Sequence, residues 1–305
     1  MKISVVIPTY NPGEDIKFLI EKLYNCGYEI IIVDSSSTDN SLEKIKKYNS
    51  DVRIIQISKE DFNHGRTRNI GLYESKGEII VYLTQDALPI DSDSLRCLTR
   101  QLIENEEIGM AYGRQIPHPD TGFFGTFARY FNYPPKSKIK SLNDKNTLGI
   151  KTIFASNSFA AYKKNVLLQV GGFPSNVILG EDTYVAAKIL KLGYKIAYVA
   201  EAQVYHSHDY TVWQEFKRYF DTGVFHQREK WLLEEFAKAE GEGLRYVKSE
   251  ILYAIKNHKA YLLPNIIFRN GIKFLGYRLG RMEKYIPYYV KKRLSMHKGY
   301  WDKNY

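Results

Sequence analysis

Short runs rich in Ile and Val alternate with amphipathic stretches along the first third of the chain. The apolar runs predict strands at 3–7, 30–33, 53–57, 79–83 and 110–112. The stretches between them predict helices at 13–25, 40–48, 64–75 and 93–105. Strands that are apolar throughout and separated by helices indicate a mostly parallel sheet with helices on both faces, an α/β fold of Rossmann-like type. Residues 116–150 carry Pro117, Pro119, Gly122, Gly125, Pro134 and Pro135 among lysines and aromatics, and read as a long functional loop. Regular structure resumes with a strand-like run at 152–162, helices at 164–170 and 181–192, and a strand at 195–199. From Thr211 onward the pattern is helical and aromatic. The chain thus divides into an α/β unit over 1–210, with halves 1–115 and 116–210, and a helical extension over 211–305.

In such a sheet, ligands bind beyond the carboxyl ends of the strands. The residues that follow each strand therefore hold the candidate chemistry. The first strand runs into Pro8-Thr9-Tyr10-Asn11, and the second into Val33-Asp34-Ser35-Ser36-Ser37-Thr38-Asp39. A carboxylate at a strand end can accept the imide N–H of a uracil or thymine ring, and a neighbouring helix N-terminus favours phosphate. Thr9, Tyr10, Asn11, Asp34 and Ser36 are candidate nucleotide contacts on this ground. The same residue types also cap helices, and Asn11, Asp39 or Ser41 would serve in that way. Two more polar segments complete the set: Phe62-Asn63-His64-Gly65-Arg66-Thr67-Arg68-Asn69 opening a helix, and Thr84-Gln85-Asp86-Ala87 after the fourth strand.

Six segments carry a resemblance when taken in order: Pro-Thr-Tyr-Asn (8–11), Val-Asp-Ser-Ser-Ser-Thr-Asp (33–39), His-Gly-Arg-Thr-Arg-Asn (64–69), Thr-Gln-Asp-Ala (84–87), Gly-Glu-Asp (180–182) and Tyr-His-Ser-His (205–208). Over roughly residues 1–225 the chain resembles the family 2 glycosyltransferases of GT-A fold, and among them the bacterial rhamnosyltransferases. The resemblance implies inverting sugar transfer from a nucleotide donor, with dTDP-L-rhamnose favoured and another nucleotide sugar, such as a UDP-hexose or UDP-N-acetylhexosamine, as the alternative. It implies His64, Arg66, Arg68 and Gln85 near the nucleotide, Asp182 as general base with Glu181 orienting the site, and Asn157 and Ser158 near the sugars. A diphosphate leaving group is usually neutralised by a divalent metal, here Mn²⁺ or Mg²⁺. The common Asp-x-Asp of the family is Thr84-Gln85-Asp86 here, as in the rhamnosyltransferase-like branch, so Asp86 is the only carboxylate ligand that segment offers. A second ligand must come from elsewhere, and His206 or His208 is the candidate. The rival from another class is a non-catalytic nucleotide- or membrane-binding scaffold, in which Asp86, Asp182 and the two histidines have no shared reason to occur.

Charge changes the picture at the C-terminal end. The chain has 305 residues, 44% of them apolar, which excludes wholesale disorder, and a formal net charge of +10. Residues 245–305 hold 14 Lys+Arg against 3 Asp+Glu, while the remaining 244 residues hold 30 against 31. Within that piece Phe268, Ile272, Leu275, Leu279 and Met282 recur at helical spacing, with Arg269, Lys273, Lys284, Gly276 and Gly280 on a different face. A basic amphipathic helix followed by Tyr285, Tyr288 and Tyr289 reads as an element for an anionic membrane surface. The stripe would alternatively pack on the α/β unit or on a second subunit of a homodimer. No zinc motif or nucleic-acid-binding module accompanies the charge, so nucleic acid is not the expected partner. The segment 261–279 is broken by Pro264, Arg269, Lys273 and Arg278 and is no membrane span, and the apolar run 3–7 is too short for a signal core. Two cysteines, Cys26 and Cys97, give no disulfide framework. The expected location is the cytoplasm, peripheral at the inner face of the plasma membrane, beside a lipid-linked saccharide acceptor.

Overall fold

Alternation along the central strand β1, Ile3–Thr9, decides the layers of the molecule. Val5 and Ile7 join the core on one face of the sheet and Val6 the core on the other, all fully buried. The computed structural model describes residues 1–24, 26–48, 51–236 and 241–303. After β1 come α1 (Asp15–Tyr24), β2 (Glu29–Asp34), α2 (Ser41–Tyr48), β3 (Arg53–Gln56), α3 (His64–Glu74), β4 (Ile79–Leu83), β5 (Leu88–Pro89), α4 (Ser94–Glu104) and β6 (Ile108–Ile116). The middle of the chain forms α5 (Phe123–Asn132), β7 (Lys138–Lys140), α6 (Lys145–Leu148), β8 (Phe159–Lys163), α7 (Lys164–Gln169), α8 (Glu181–Lys191) and β9 (Lys195–Tyr205). The remainder forms α9 (Val212–Arg228), α10 (Lys230–Phe236), α11 (Glu242–Lys256), α12 (Leu263–Arg281), α13 (Tyr288–Leu294) and α14 (Lys298–Lys303). The expected end of the first helix at Asn25, and residues 237–240 and 304–305 of the helical extension, lie outside the described residues.

The sheet runs β3-β2-β1-β4-β8-β6-β9-β5, with β7 also on β9. β1 to β4 are mutually parallel and β6 is parallel to β9, while β8 lies antiparallel between β4 and β6. Register aligns the strand ends that matter: Thr9 pairs with Asp34, and Ile116 with Tyr205. The expected mostly parallel α/β sheet is present, and its first four strands and helices fall where the pattern puts them.

Four expectations are corrected. Residues 116–150 are no loop: they contain α5 and β7. Phe123, Phe124, Phe127, Tyr130 and Phe131 have helical spacing, and α5 packs its rings on α11, with Phe127 and Phe131 5.1 and 4.9 Å from Tyr246. The prolines and Gly122 sit at the edges of these elements, while Gly125 lies inside α5. Residues 152–162 are not one strand either. A 3₁₀ turn at Gly149–Ile153 precedes β8, and the chain between them leaves the sheet to line a cavity. β6 and β9 both outrun their expected ends at 112 and 199, because the pairing jumps from Gly113–Val199 to Arg114–Gln203. That bulge needs Gly113, where a Cβ would lie 2.3 Å from the Phe159 ring and 2.6 Å from the Ala202 carbonyl.

The fourth correction concerns the alternative in which the apolar stripe of α12 packs on the α/β unit. The packed face is instead Ile266, Arg269, Lys273, Gly276 and Gly280. Gly276 and Gly280 let the backbones of α12 and α9 touch, since a Cβ would fall 2.5 Å from Phe216 O and 2.0 Å from Phe220 O respectively. Arg269 and Lys273 are buried because Glu215 of α9 pairs with both, at 3.0 and 3.4 Å. Of the stripe, Ile272 and Leu279 pack at its margin, while Phe268, Leu275 and Met282 are exposed. Among the described residues no helix is long and apolar enough to cross a membrane.

Candidate active site

The paired ends of β1 and β2 form a polar shelf. Asp34 is fully buried and accepts from Thr9 Oγ1 at 3.0 Å and from the Ser37 amide at 2.9 Å. Its carboxylate therefore shapes the loop after β2, at the shelf where a base contact is expected. Asn11 and Ser36 take positive φ, 44° and 60°, and the Asn11 side chain accepts from the Thr38 amide at 2.7 Å, tying the two loops together. Gln85 reaches across from the end of β4 and pins Tyr10 by both its amide, at 2.8 Å, and its carbonyl, at 3.2 Å. Lys59 lies 2.7 Å from the Tyr10 hydroxyl.

Beside the shelf opens a cavity of about 600 Å³ lined by the ends of β4, β6 and β9, the start of α8, and side chains of α5, α9 and α12. Asp86, His206 and His208 meet in it, their ligand atoms within 4.8 Å of one another. Nε2 of His206 and of His208 lie 3.5 and 3.6 Å from one Asp86 oxygen. Gln115, which the sequence reading did not single out, fixes the tautomer of His206. Its Oε1 meets both Arg129 Nη1 and, at 3.0 Å, His206 Nδ1. Arginine can only donate, so this Gln115 atom is an acceptor and His206 Nδ1 carries the proton. Nε2, the other ring nitrogen of His206, is the one turned toward Asp86. Burial lowers the His208 pKa to about 4, which keeps that ring neutral. Burial opposes ionisation of Asp86, but the neighbouring His206 and His208 outweigh it and hold the carboxyl well below its ordinary range. One carboxylate oxygen and two imidazole nitrogens form a donor set that suits a divalent ion.

Across the cavity stands the start of α8. Asp182 accepts from the amides of Thr183, at 2.7 Å, and Asn157, at 3.2 Å. Burial first, and then the charge of Glu181, raise its pKa above the usual carboxylate range. Glu181 is buried, but Arg68 sits 3.1 Å away and Asn157 Nδ2 donates to it at 3.3 Å. Against the burial penalty, the Arg68 guanidinium keeps Glu181 ionised. Asn157 thus positions the acidic pair, while Ser158 lines the same cavity.

The two arginines of the His-Gly-Arg-Thr-Arg-Asn segment part company. Arg68 lines the cavity but is committed to Glu181, and Arg66 is exposed, 3.1 Å from Asp61, away from the cavity. Arg68 is thus committed within the site, while Arg66 stays open to solvent. The cavity's other cations are Arg129, Arg218, Arg269 and Lys273. His64 lines it as well, its ring 5.0 Å from that of His297, brought in from the far end of the chain. Burial lowers the pKa of both histidines, of His297 to about 3. Arg129 lies in the segment whose composition suggests a loop, and Gln115 beyond the expected end of β6 at residue 112; no local signal marks Arg218 or His297.

The model of the family described as glycosyl transferase family 2 matches residues 4–171. The chain belongs to this family. It is a glycosyltransferase, and its sheet is the GT-A fold. It is 42% identical over 99% of its length to the O-antigen chain rhamnosyltransferase RfbN of Salmonella typhimurium, covering 96% of that protein. With the O-antigen chain rhamnosyltransferase WbaN of Salmonella anatum it shares 43% identity over 98% of its length and 95% of the relative's. Among solved structures it is similar to the mannosyltransferase PcManGT from Pyrobaculum calidifontis in complex with GDP-Man and Mn²⁺. That match has a TM-score of 0.60 and 19% identity, over 99% of this chain and 86% of that one. The family 2 shelf and cavity thus sit at the carboxyl ends of the strands, where an α/β sheet of this kind binds its ligands.

Proposed function

We propose that this glycosyltransferase moves L-rhamnose, with inversion, from dTDP-L-rhamnose to a saccharide acceptor in cell-surface polysaccharide synthesis. The acceptor is held on a membrane lipid at the cytoplasmic face, with the enzyme peripheral there. One observation carries the chemistry: a half-buried carboxylate with raised pKa, Asp182, shares a cavity with the Asp86, His206 and His208 group. The choice of sugar is supported by the two Salmonella relatives, each matched over nearly its whole length.

In this reading the nucleoside lies on the shelf of Thr9, Tyr10, Asn11, Ser36 and Gln85. Asp86, His206 and His208 hold a divalent cation, and the two imidazoles favour Mn²⁺ over Mg²⁺. When bound, the ion offsets the charge of the departing diphosphate. Asp182 accepts the proton of the acceptor hydroxyl while that oxygen bonds to the anomeric carbon. The bond from that carbon to the phosphate oxygen breaks on the opposite face, and thymidine diphosphate leaves. A raised pKa makes the carboxylate a better match for this proton, since general bases work best near the operating pH. No second carboxylate is required as acid, because the leaving diphosphate needs no proton.

Incubation with Mn²⁺ and dTDP-L-rhamnose, UDP-glucose, UDP-N-acetylglucosamine or GDP-mannose tests the donor. Nucleoside diphosphate is expected from dTDP-L-rhamnose, and chelation of the metal should stop it. Release from another donor alone would overturn the sugar, and release from none would favour the scaffold.

A further inference from the structure

Among the described residues, the face of α12 opposite α9 is unpartnered and apolar. Pro264, Ile267, Phe268, Gly271, Phe274 and Leu275 follow one another at helical spacing and are all exposed, Ile267 and Phe274 by 64% and 66%. From Pro264 to Arg278 this stripe is roughly 21 Å long at the helical rise. From Ile251 to Met282 the sequence has no Asp or Glu, while Lys256, Lys259 and Arg278 in the same stretch are exposed. The acidic residues nearest in sequence are spent elsewhere. Glu250 is buried, and Glu283 is buried between Lys291, at 2.6 Å, and Arg228, at 3.2 Å.

Charge decides between the two occupants such a face could have. A second copy of the chain meeting it by two-fold symmetry would set this cationic stretch against itself. An anionic bilayer offers the opposite sign to the stretch and an apolar phase to the stripe. We propose that α12 is an interfacial helix that seats Ile267, Phe268, Phe274 and Leu275 in the headgroup region of an anionic membrane, while its other face walls the catalytic cavity.

This rests on the reading of a membrane-held acceptor and gives it a geometry. Arg269 and Lys273 project from the same helix into the cavity. The cavity wall therefore lies about one helix diameter, on the order of 10 Å, from the lipid surface. A saccharide attached to a membrane lipid reaches Asp182 without its anchor leaving the bilayer. The Gly276 and Gly280 contacts with α9 make that spacing rigid.

The test is vesicle flotation of the full chain and of a Phe268→Glu, Phe274→Glu double variant, with thermal melting and release of nucleoside diphosphate measured in parallel. Both positions are exposed and far from the reacting groups, so melting and donor turnover in solution should stay unchanged. The wild type should float with phosphatidylethanolamine–phosphatidylglycerol vesicles and not with phosphatidylcholine alone. The double variant should bind on the order of a hundredfold more weakly. Equal flotation of both proteins would overturn the surface while leaving membrane association standing. Failure of the wild type to float would overturn both. A wild-type dimer that the double variant abolishes, without flotation, would give the face to a second copy. Loss of flotation in the variant of a protein that turns over no donor would leave the surface standing and remove the glycosyltransfer reading.

Discussion

At the scale of single residues, the site depends on which charges are already spent. Asp182 has a raised pKa because its carboxyl is desolvated and an ionised Glu181 stands beside it, and Glu181 stays ionised because Arg68 is 3.1 Å away. Arg66, two positions earlier, points to the other side of the helix and meets solvent. Arg68→Ala should therefore leave a buried carboxylate uncompensated and cost about 3–5 kcal/mol. Arg66→Ala should stay within about 0.5 kcal/mol. Urea unfolding of the two variants checks this, and a small effect at Arg68 would refute the pairing. The sequence showed both arginines but not the difference, because the partner that decides it lies on another helix more than a hundred residues away. Asp86, His206, His208 and Asp182 were legible since each directly follows a strand or opens a helix. Gln115 was not, because its role exists only once the Gly113 bulge carries β6 and β9 onward together.

Among elements, the α9–α12 pair and the segment after α13 close the cavity from behind. Asp221 of α9 is fully buried and accepts from the Met296 and His297 amides at 2.8 and 3.4 Å, which anchors the segment that carries His297 to the cavity. Burial pushes its pKa up to about 7. The folded protein then holds a proton that the unfolded chain releases near pH 4. The stabilisation from this proton is complete below pH 4 and is lost as pH rises through about 7. Asp221→Asn keeps an acceptor for both amides and removes the titration. Its melting temperature should fall less than the wild type's between pH 5 and pH 8, and parallel melting curves would contradict the buried acid. Here the sequence misled in an instructive way. Apolar periodicity marks the face that scores as hydrophobic, yet α12 packs through glycines and ion-paired cations and leaves its large apolar side chains outside.

Across the whole molecule, the neutral α/β unit and the basic extension are parts of one active site. The core on one side of the sheet runs from Val6 of β1 to Trp301 of α14, so the extension is built into the catalytic core. The sheet order could be read from apolar runs because parallel strands are buried on both faces. The wall made by α5, α9, α11 and α12 could not, because it is held by aromatic contacts and close backbone packing between distant segments. The central claim is that Asp182 takes the acceptor proton in a transfer supported by the Asp86, His206 and His208 group. The most direct measurement is rhamnosyl transfer from dTDP-L-rhamnose by Asp182→Asn beside the wild type, with nucleotide affinity measured on the same samples. The account predicts a loss of about 10²–10⁴-fold in turnover with nucleotide affinity unchanged. Turnover equal to the wild type's would contradict it.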